Sequence, residues 1–271
     1  MRLNFRTGIS ILGGLCVLSA GLQAAEGILI VQRTTTGGTP RTSQMQIEKN
    51  RMRMDMTDQS GGRQAVVFDG AKQVMYMINF DKKTYNEMTK ADADRLGAMA
   101  QGMMDQMSAM LAKMPPEQRE KMAAMMKGRG AAMGAVSAAK LEYKKVGTDK
   151  VGKWTCDKYD GYRNGEKASE VCTVEPRALG FTAADFEVTR QFAEFFKAMV
   201  PQGAEQVFGI GKPDEQGFSG LPIRSVSTIM GRETTSELTD ASRQNFPDSA
   251  FAVPEDFQKV DMMAGRGRGR Q

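Results

Sequence analysis

Apolar and polar residues alternate through the first third of the chain, and a period of two permits strands there while excluding helices. Met45 and Ile47 alternate with Gln44, Gln46 and Glu48; Met52, Met54 and Met56 alternate with Arg51, Arg53 and Asp55. The apolar parity changes from odd to even across Lys49-Asn50. One continuous strand would throw half of these side chains onto the wrong face, so the change predicts a turn between two strands. A β-branched run from Gly27 to Thr35 comes before. After it, Ala65 to Phe68, a turn at Asp69-Gly70, and Val74, Tyr76, Ile78 and Phe80 form the next hairpin, and Asp81-Lys82-Lys83 turns the chain into Thr84 to Met88. The expectation is an antiparallel meander with one apolar face.

The period changes at Lys90. Met99, Met103, Met107, Met110 and Met114 follow one another at helical spacing and form a single stripe. Pro115-Pro116 ends that helix, and Met122, Met125, Met126 and Met133 mark a second, weaker amphipathic stretch. A Met-rich helical hairpin over 90–136, inserted between strands, is predicted. Strand pattern resumes at Lys140 to Val146, Trp154 to Tyr162 and Lys167 to Val174. Thr182 with Asp185 three residues on opens a helix, with Phe181 and Phe186 at hydrophobic-staple spacing. Phe192, Phe195, Phe196 and Met199 give that helix an apolar face, and Pro201 and Gly203 stop it. Leu221 to Met230 and Glu233 to Thr239 read as further strands, followed by the closing segment Phe251 to Phe257 and a Gly/Arg tail over 262–271. The sum is an α+β layout, about nine or more strands in a strongly curved antiparallel sheet covered by helices.

Arg2 and Arg6, an uncharged apolar stretch from Gly8 to Leu22, and the small residues Ala24-Ala25 have the order of a cleavable secretory signal. Residues 1–25 are therefore expected to be removed after Ala24 or Ala25, and 26–261 to form a single β-rich domain in the periplasm or outside the cell. Cys16 is then lost with the signal. Removing residues 1–25 from the 271 takes away Arg2 and Arg6, and the charge falls from +5 to +3. Arg266, Arg268 and Arg270 account for that remainder, so the folded body is close to neutral.

Cys156 and Cys172 then form an even pair in an exported chain, which predicts a disulfide. Between them Arg163-Asn164-Gly165 marks a hairpin turn. A two-residue Asn-Gly loop would set position 156 opposite 173. A cross-strand bridge to Cys172 thus predicts a three-residue turn, or a bulge.

The order of these pieces resembles an exported bacterial family, the domain of unknown function 4412. The carrying residues are Ile47-Glu-Lys-Asn-Arg-Met-Arg53, Val67-Phe-Asp-Gly70 with Val74-Met-Tyr-Met-Ile78 and Lys83-Thr-Tyr85, Val151-Gly-Lys-Trp-Thr-Cys-Asp-Lys-Tyr159, and Phe251-Ala-Val-Pro254. Met114-Pro-Pro-Glu-Gln-Arg119 resembles the helical insert that many members carry. The family is similar in layout to the periplasmic lipoprotein-carrier (LolA/LolB-like) superfamily. That resemblance implies a half-open β-barrel holding acyl chains against covering helices. The expected function is non-catalytic binding of a lipid or other hydrophobic ligand, with a lipid or lipid-modified molecule as the expected partner. Met52, Met54, Met56, Tyr76, Ile78, Phe192, Phe195 and Phe196 are the residues expected to line the cavity.

Methionine is unusually frequent, with 22 in the chain. Soft thioethers select Cu(I), so Met103, Met107, Met110 and Met114 form an alternative metal-binding set. Burial against a sheet accounts for the same spacing, and a sacrificial oxidant sink would need the sulfurs exposed. A structural envelope protein without a ligand is the remaining reading. Arg266, Arg268 and Arg270 suit anionic headgroups at an envelope surface better than nucleic acid. There is no histidine, which excludes imidazole bases and ligands, and no cofactor motif is present: Gly209-Ile-Gly211-Lys212 lacks the strand and spacing of a phosphate loop. An enzyme is not expected.

Overall fold

A computed structural model describes residues 24–57, 61–115, 118, 141–199, 217–229 and 232–261. Residues 1–23 of the expected signal peptide, the second arm of the Met-rich insert and the Gly/Arg tail with Arg266, Arg268 and Arg270 lie outside the described residues.

The N-terminal meander consists of β1 (Ala24–Thr36), β2 (Thr39–Ile47), β3 (Arg51–Thr57), β4 (Arg63–Asp69), β5 (Val74–Asn79) and β6 (Thr84–Thr89). Helix α1 (Lys90–Ala112) follows, and then a second meander of β7 (Glu142–Val151), β8 (Trp154–Arg163) and β9 (Glu166–Val174). Helix α2 (Glu187–Met199) interrupts it before β10 (Leu221–Ile229) and β11 (Arg232–Pro247), and the short β12 (Gln258–Lys259) comes last. Among the described residues these strands form one open, curved sheet ordered β12-β6-β5-β4-β3-β2-β1-β11-β10-β9-β8-β7. Every pairing in it is antiparallel except β12 with β6.

The two meanders meet at β1 and β11, which pair from Ala24↔Pro247 to Thr36↔Thr234. β11 runs eight residues past Thr239, where the sequence pattern stops. A bulge at Thr239, unpaired between Leu238↔Gln32 and Asp240↔Val31, reverses the parity and hides the continuation.

Both faces of the N-terminal half are packed, which one-sided alternation did not predict. On one face Ile28, Ile47, Met52, Phe68, Met75 and Met88 meet Val188, Phe192 and Phe195 of α2. Phe68 is wedged between Phe192 and Phe195, each ring centroid 5.3 Å away. On the other, Ala65, Val67 and Ile78 are covered by Phe246 and Phe251 from the C-terminal segment. Arg51 and Arg53 hold that segment down. Arg51 forks onto buried Glu48 and Asp248 and lies 4.8 Å over the Phe251 ring; Arg53 donates to Asp55 and to the Ala250 carbonyl. The basic strand is thus a clamp for the Asp248–Phe251 turn.

The helices enter through acidic caps. Thr89 and Asp92 exchange hydrogen bonds at the start of α1. Ahead of α2, Thr182 and Asp185 form the expected capping box, but the first turn (Ala183–Phe186) is 3-10 and α2 proper begins at Glu187. Phe181 and Phe186 meet edge to face at 6.0 Å as the staple. Arg243 of β11 donates to Asp185 and to the Gly180 carbonyl, tying this entry to the sheet.

Partial burial opposes ionisation of Asp185, but the hydrogen bonds from Thr182 and Arg243 outweigh it and hold the carboxyl below the ordinary carboxylate range. A depressed folded-state pKa contributes stability that is complete above the unfolded value and is lost as pH falls through the folded one. Urea unfolding at stepped pH should therefore show an acid limb below about pH 4 that is shallower in Asp185→Asn. An unchanged limb would remove Asp185 from the acid response.

Candidate functional site

Among the described residues the register breaks lie in or beside the second meander. Besides Thr239, single residues are unpaired at Val146 in β7, Ala168 in β9 and Ile223 in β10, whereas pairings among β2 to β6 run without a shift. Each bulge bends and twists its strand. The curl brings the β7–β8 turn against β10 and β11, and an open cleft of about 420 Å³ lies there. Val151, Trp154 and Leu238 form its apolar lining, and Lys150, Lys153, Arg224 and Glu237 its charged one.

Arg224 sits between Cys172 and Glu237 in register. Its nearest carboxylates are distant for hydrogen bonding, Glu237 at 3.6 Å and Asp149 at 3.8 Å. Its buried Nε is the atom that faces Glu237, in an ion pair slightly too long for a hydrogen bond. The Lys153 ammonium stands 5.0 Å from the centre of the Trp154 ring. The Thr239 hydroxyl donates to the Val31 carbonyl.

The disulfide is next to this cleft in register, since Cys172 pairs with Arg224. Cys156 and Cys172 are bonded, with Cα atoms 5.5 Å apart, and both are buried in the main core. The turn has two residues, Asn164 and Gly165 at φ 53° and 83°, between Arg163↔Glu166, not the three-residue turn. Without the bulge the two cysteines would stand on opposite faces. Ala168 slips the register by one, so that Lys158 pairs with Cys172 and the bridge runs diagonally on one face.

The residues expected to line a cavity between sheet and helices do not line one space. Met52, Phe192, Phe195 and Phe196 belong to the helix-side core, with Met54 and Met56 half-buried along the same strand face. Tyr76 and Ile78 belong to the opposite cluster with Phe246 and Phe251. Interlocked rings fill the place between α2 and Phe68 where the ligand was expected. No local motif announced the cleft, because its lining comes from four strands and its shape from bulges.

The methionine stripe is likewise not buried. α1 touches α2 through its first turns, where Ala93 is buried and Leu96 packs on the core. Beyond them Met99, Met103, Met107 and Met110 are exposed by 55, 70, 43 and 57%, and Met114 is half-buried. Packing against the sheet therefore does not explain the spacing. Among the described residues no group of three or more His, Cys, Asp or Glu could hold a metal, and no helix is long and apolar enough to cross a membrane.

Residues 87–257, more than half of the chain, match the family described as domain of unknown function (DUF4412). The chain belongs to this family. Met114 to Arg119, the disulfide strand and the closing Phe251-Ala-Val-Pro254 lie within the match, while Ile47 to Arg53 and Val67 to Tyr85 precede it. No curated protein matches in sequence. An uncharacterized conserved protein from Thermus thermophilus is similar in structure at a TM-score of 0.44 and 8% identity, over 89% of this chain and 92% of that one. A chain of the Pseudomonas aeruginosa MucA/MucB complex is similar at 0.37 and 12% identity. That likeness covers 87% of this chain, which spans 58% of the other. Scores this low carry no argument about ligand or partner.

The bulge makes a prediction for the bridge. Deleting Ala168 should place Cys156 and Cys172 on opposite faces, and thiol titration of the oxidised, purified protein should then find both free. Replacing both by alanine should lower stability by about 3 kcal/mol in urea. A bridge that still forms in the deletion variant would disprove the register account.

Proposed function

We propose that this DUF4412 protein is a non-catalytic, exported binding protein that takes an amphiphile, an acyl chain with an anionic head, in the Trp154 cleft. The observation that carries the reading is the two-sided chemistry of that cleft: Val151, Trp154 and Leu238 line it beside the cationic Lys150, Lys153 and Arg224. Its volume of about 420 Å³ falls in the range of small-ligand sites. An apolar tail gains from leaving water, and an anionic head is drawn to the Lys150, Lys153 and Arg224 cations along the same cleft. Export agrees with the N-terminal pattern of residues 1–25 and with a buried disulfide, which persists in oxidising compartments. Among the described residues the one hydroxyl lining the cleft, that of Thr239, is spent on a backbone carbonyl rather than paired with a base, so the reading assigns no reaction.

Trp154 is the single tryptophan of the chain, so its emission reports the site without a label. Titration with dodecanoate should shift that emission and saturate, and native mass spectrometry of protein isolated from the periplasm should show bound amphiphile. Arg224→Leu should weaken dodecanoate binding about tenfold or more while leaving dodecanol binding little changed, because only the charged head uses the guanidinium. An unchanged emission together with a clean apo mass would sink the proposal. Equal losses for acid and alcohol would remove Arg224 from recognition.

A further inference from the structure

Going beyond the cleft, we propose that the projecting half of α1 is a soft-metal site, in which the thioethers of Met103, Met107 and Met110 bind one Cu(I) ion. The carrying observation is that these side chains are on the surface. A methionine stripe packed against a sheet would need no further explanation, but this one buries little and contributes little to the core.

The helix arranges the sulfurs. At 3.6 residues per turn, Met99, Met103, Met107 and Met110 of α1 fall within an arc of about 80°. Neighbours three or four residues apart have Cβ atoms about 5–6 Å from one another, within reach of a common ion for a side chain with three rotatable bonds. Met107 is four residues from Met103 and three from Met110, and all three are exposed, so the sulfurs of both neighbours can turn toward that of Met107. Gln101 and Asp105 bond to each other and leave the sulfurs as the donors along the stripe.

The chemistry selects the ion. Thioether sulfur is a neutral, soft donor that favours Cu(I) over Zn(II), Ni(II) or Mg(II). The chain has no histidine, and Cys156 and Cys172 are bonded to each other, so neither imidazole nor those thiolates compete within the folded body. No carboxylate-rich cluster among the described residues offers a harder site. The site is independent of the cleft, which lies at the other end of the sheet from the strands α1 follows.

The test uses the full chain with its disulfide intact and Ag(I) as a redox-stable stand-in for Cu(I). In methyl-labelled NMR spectra, the Met103, Met107 and Met110 resonances should move together and stop at one equivalent, while those of buried Met52, Met75 and Met88 stay in place. Cu(I) competition against a coloured chelator should give binding at least about tenfold tighter than free methionine at equal sulfur concentration, the gain expected from linked donors. A Met103→Leu, Met107→Leu, Met110→Leu variant keeps helix propensity and apolar surface. It should retain its circular dichroism and urea midpoint and fall to the affinity of free methionine. Affinity no better than free methionine in the unaltered chain overturns the proposal, as does a leucine variant that binds equally well. Trp154 emission is not expected to respond to Ag(I), and this separates failure here from failure of the cleft reading.

Discussion

The pairing of β1 with β11 is the constraint on which the rest depends. Each meander is local: β2 to β6 and β7 to β9 join through short turns, and each hairpin can form from neighbouring sequence. The pairing between Ala24–Thr36 and Arg232–Pro247 joins residues some two hundred positions apart and makes two half-sheets into one. It is reinforced by hydroxyls, with Thr34 bonded to Ser236 and Thr239 to the Val31 carbonyl. Closing so long a loop is entropically costly and slow, so this seam is expected to form late. Phe246, next to the end of β11, can cover Ala65, Val67 and Ile78 only after the seam has placed it beside Gly27.

The seam also explains why the clamp of Arg51 and Arg53 lies where it does. β11 delivers Asp248 to Phe251 onto the face of β3 opposite the helices, and two arginines on alternate positions of β3 meet them there. Glu48 is nearly buried and would be costly unpaired; the Arg51 guanidinium satisfies one of its oxygens at 2.6 Å. The polar face of β3 is thus a partly covered surface, on which Arg51 and Arg53 meet the C-terminal segment. The same six residues from Glu48 to Arg53 serve a turn, an ion pair and a tertiary latch.

Much of the fold was legible because local chemistry decided it. The parity change at Lys49-Asn50 marks the β2–β3 turn, the Met stripe begins its helix at Lys90, and Thr182 with Asp185 caps the entry to α2. What was not legible depends on register. Ala168 alone decides that Cys156 and Cys172 share a face, and nothing in an alanine announces a bulge. Thr239 hides the second half of β11 by the same mechanism. The cavity residues failed for a related reason: strand alternation tells which residues share a face but not which face bears the helices, so Tyr76 and Ile78 were assigned to the wrong side. The cleft combines both kinds of information, a curl made by bulges and side chains from separate strands.

Periodicity could not distinguish a buried methionine stripe from an exposed one, since both repeat at the helical period. Exposure separates the methionines into two populations. Met52, Met75 and Met88 fill the core between sheet and α2, where an unbranched side chain adapts to irregular gaps and leucine would do nearly as well. Met99, Met103, Met107 and Met110 face solvent, where apolar surface has a cost and no packing return. Leucine has almost the same helix propensity as methionine, so the helix itself does not require sulfur. What distinguishes methionine at these positions is the polarisable thioether, and an account of this part of α1 has to use that atom.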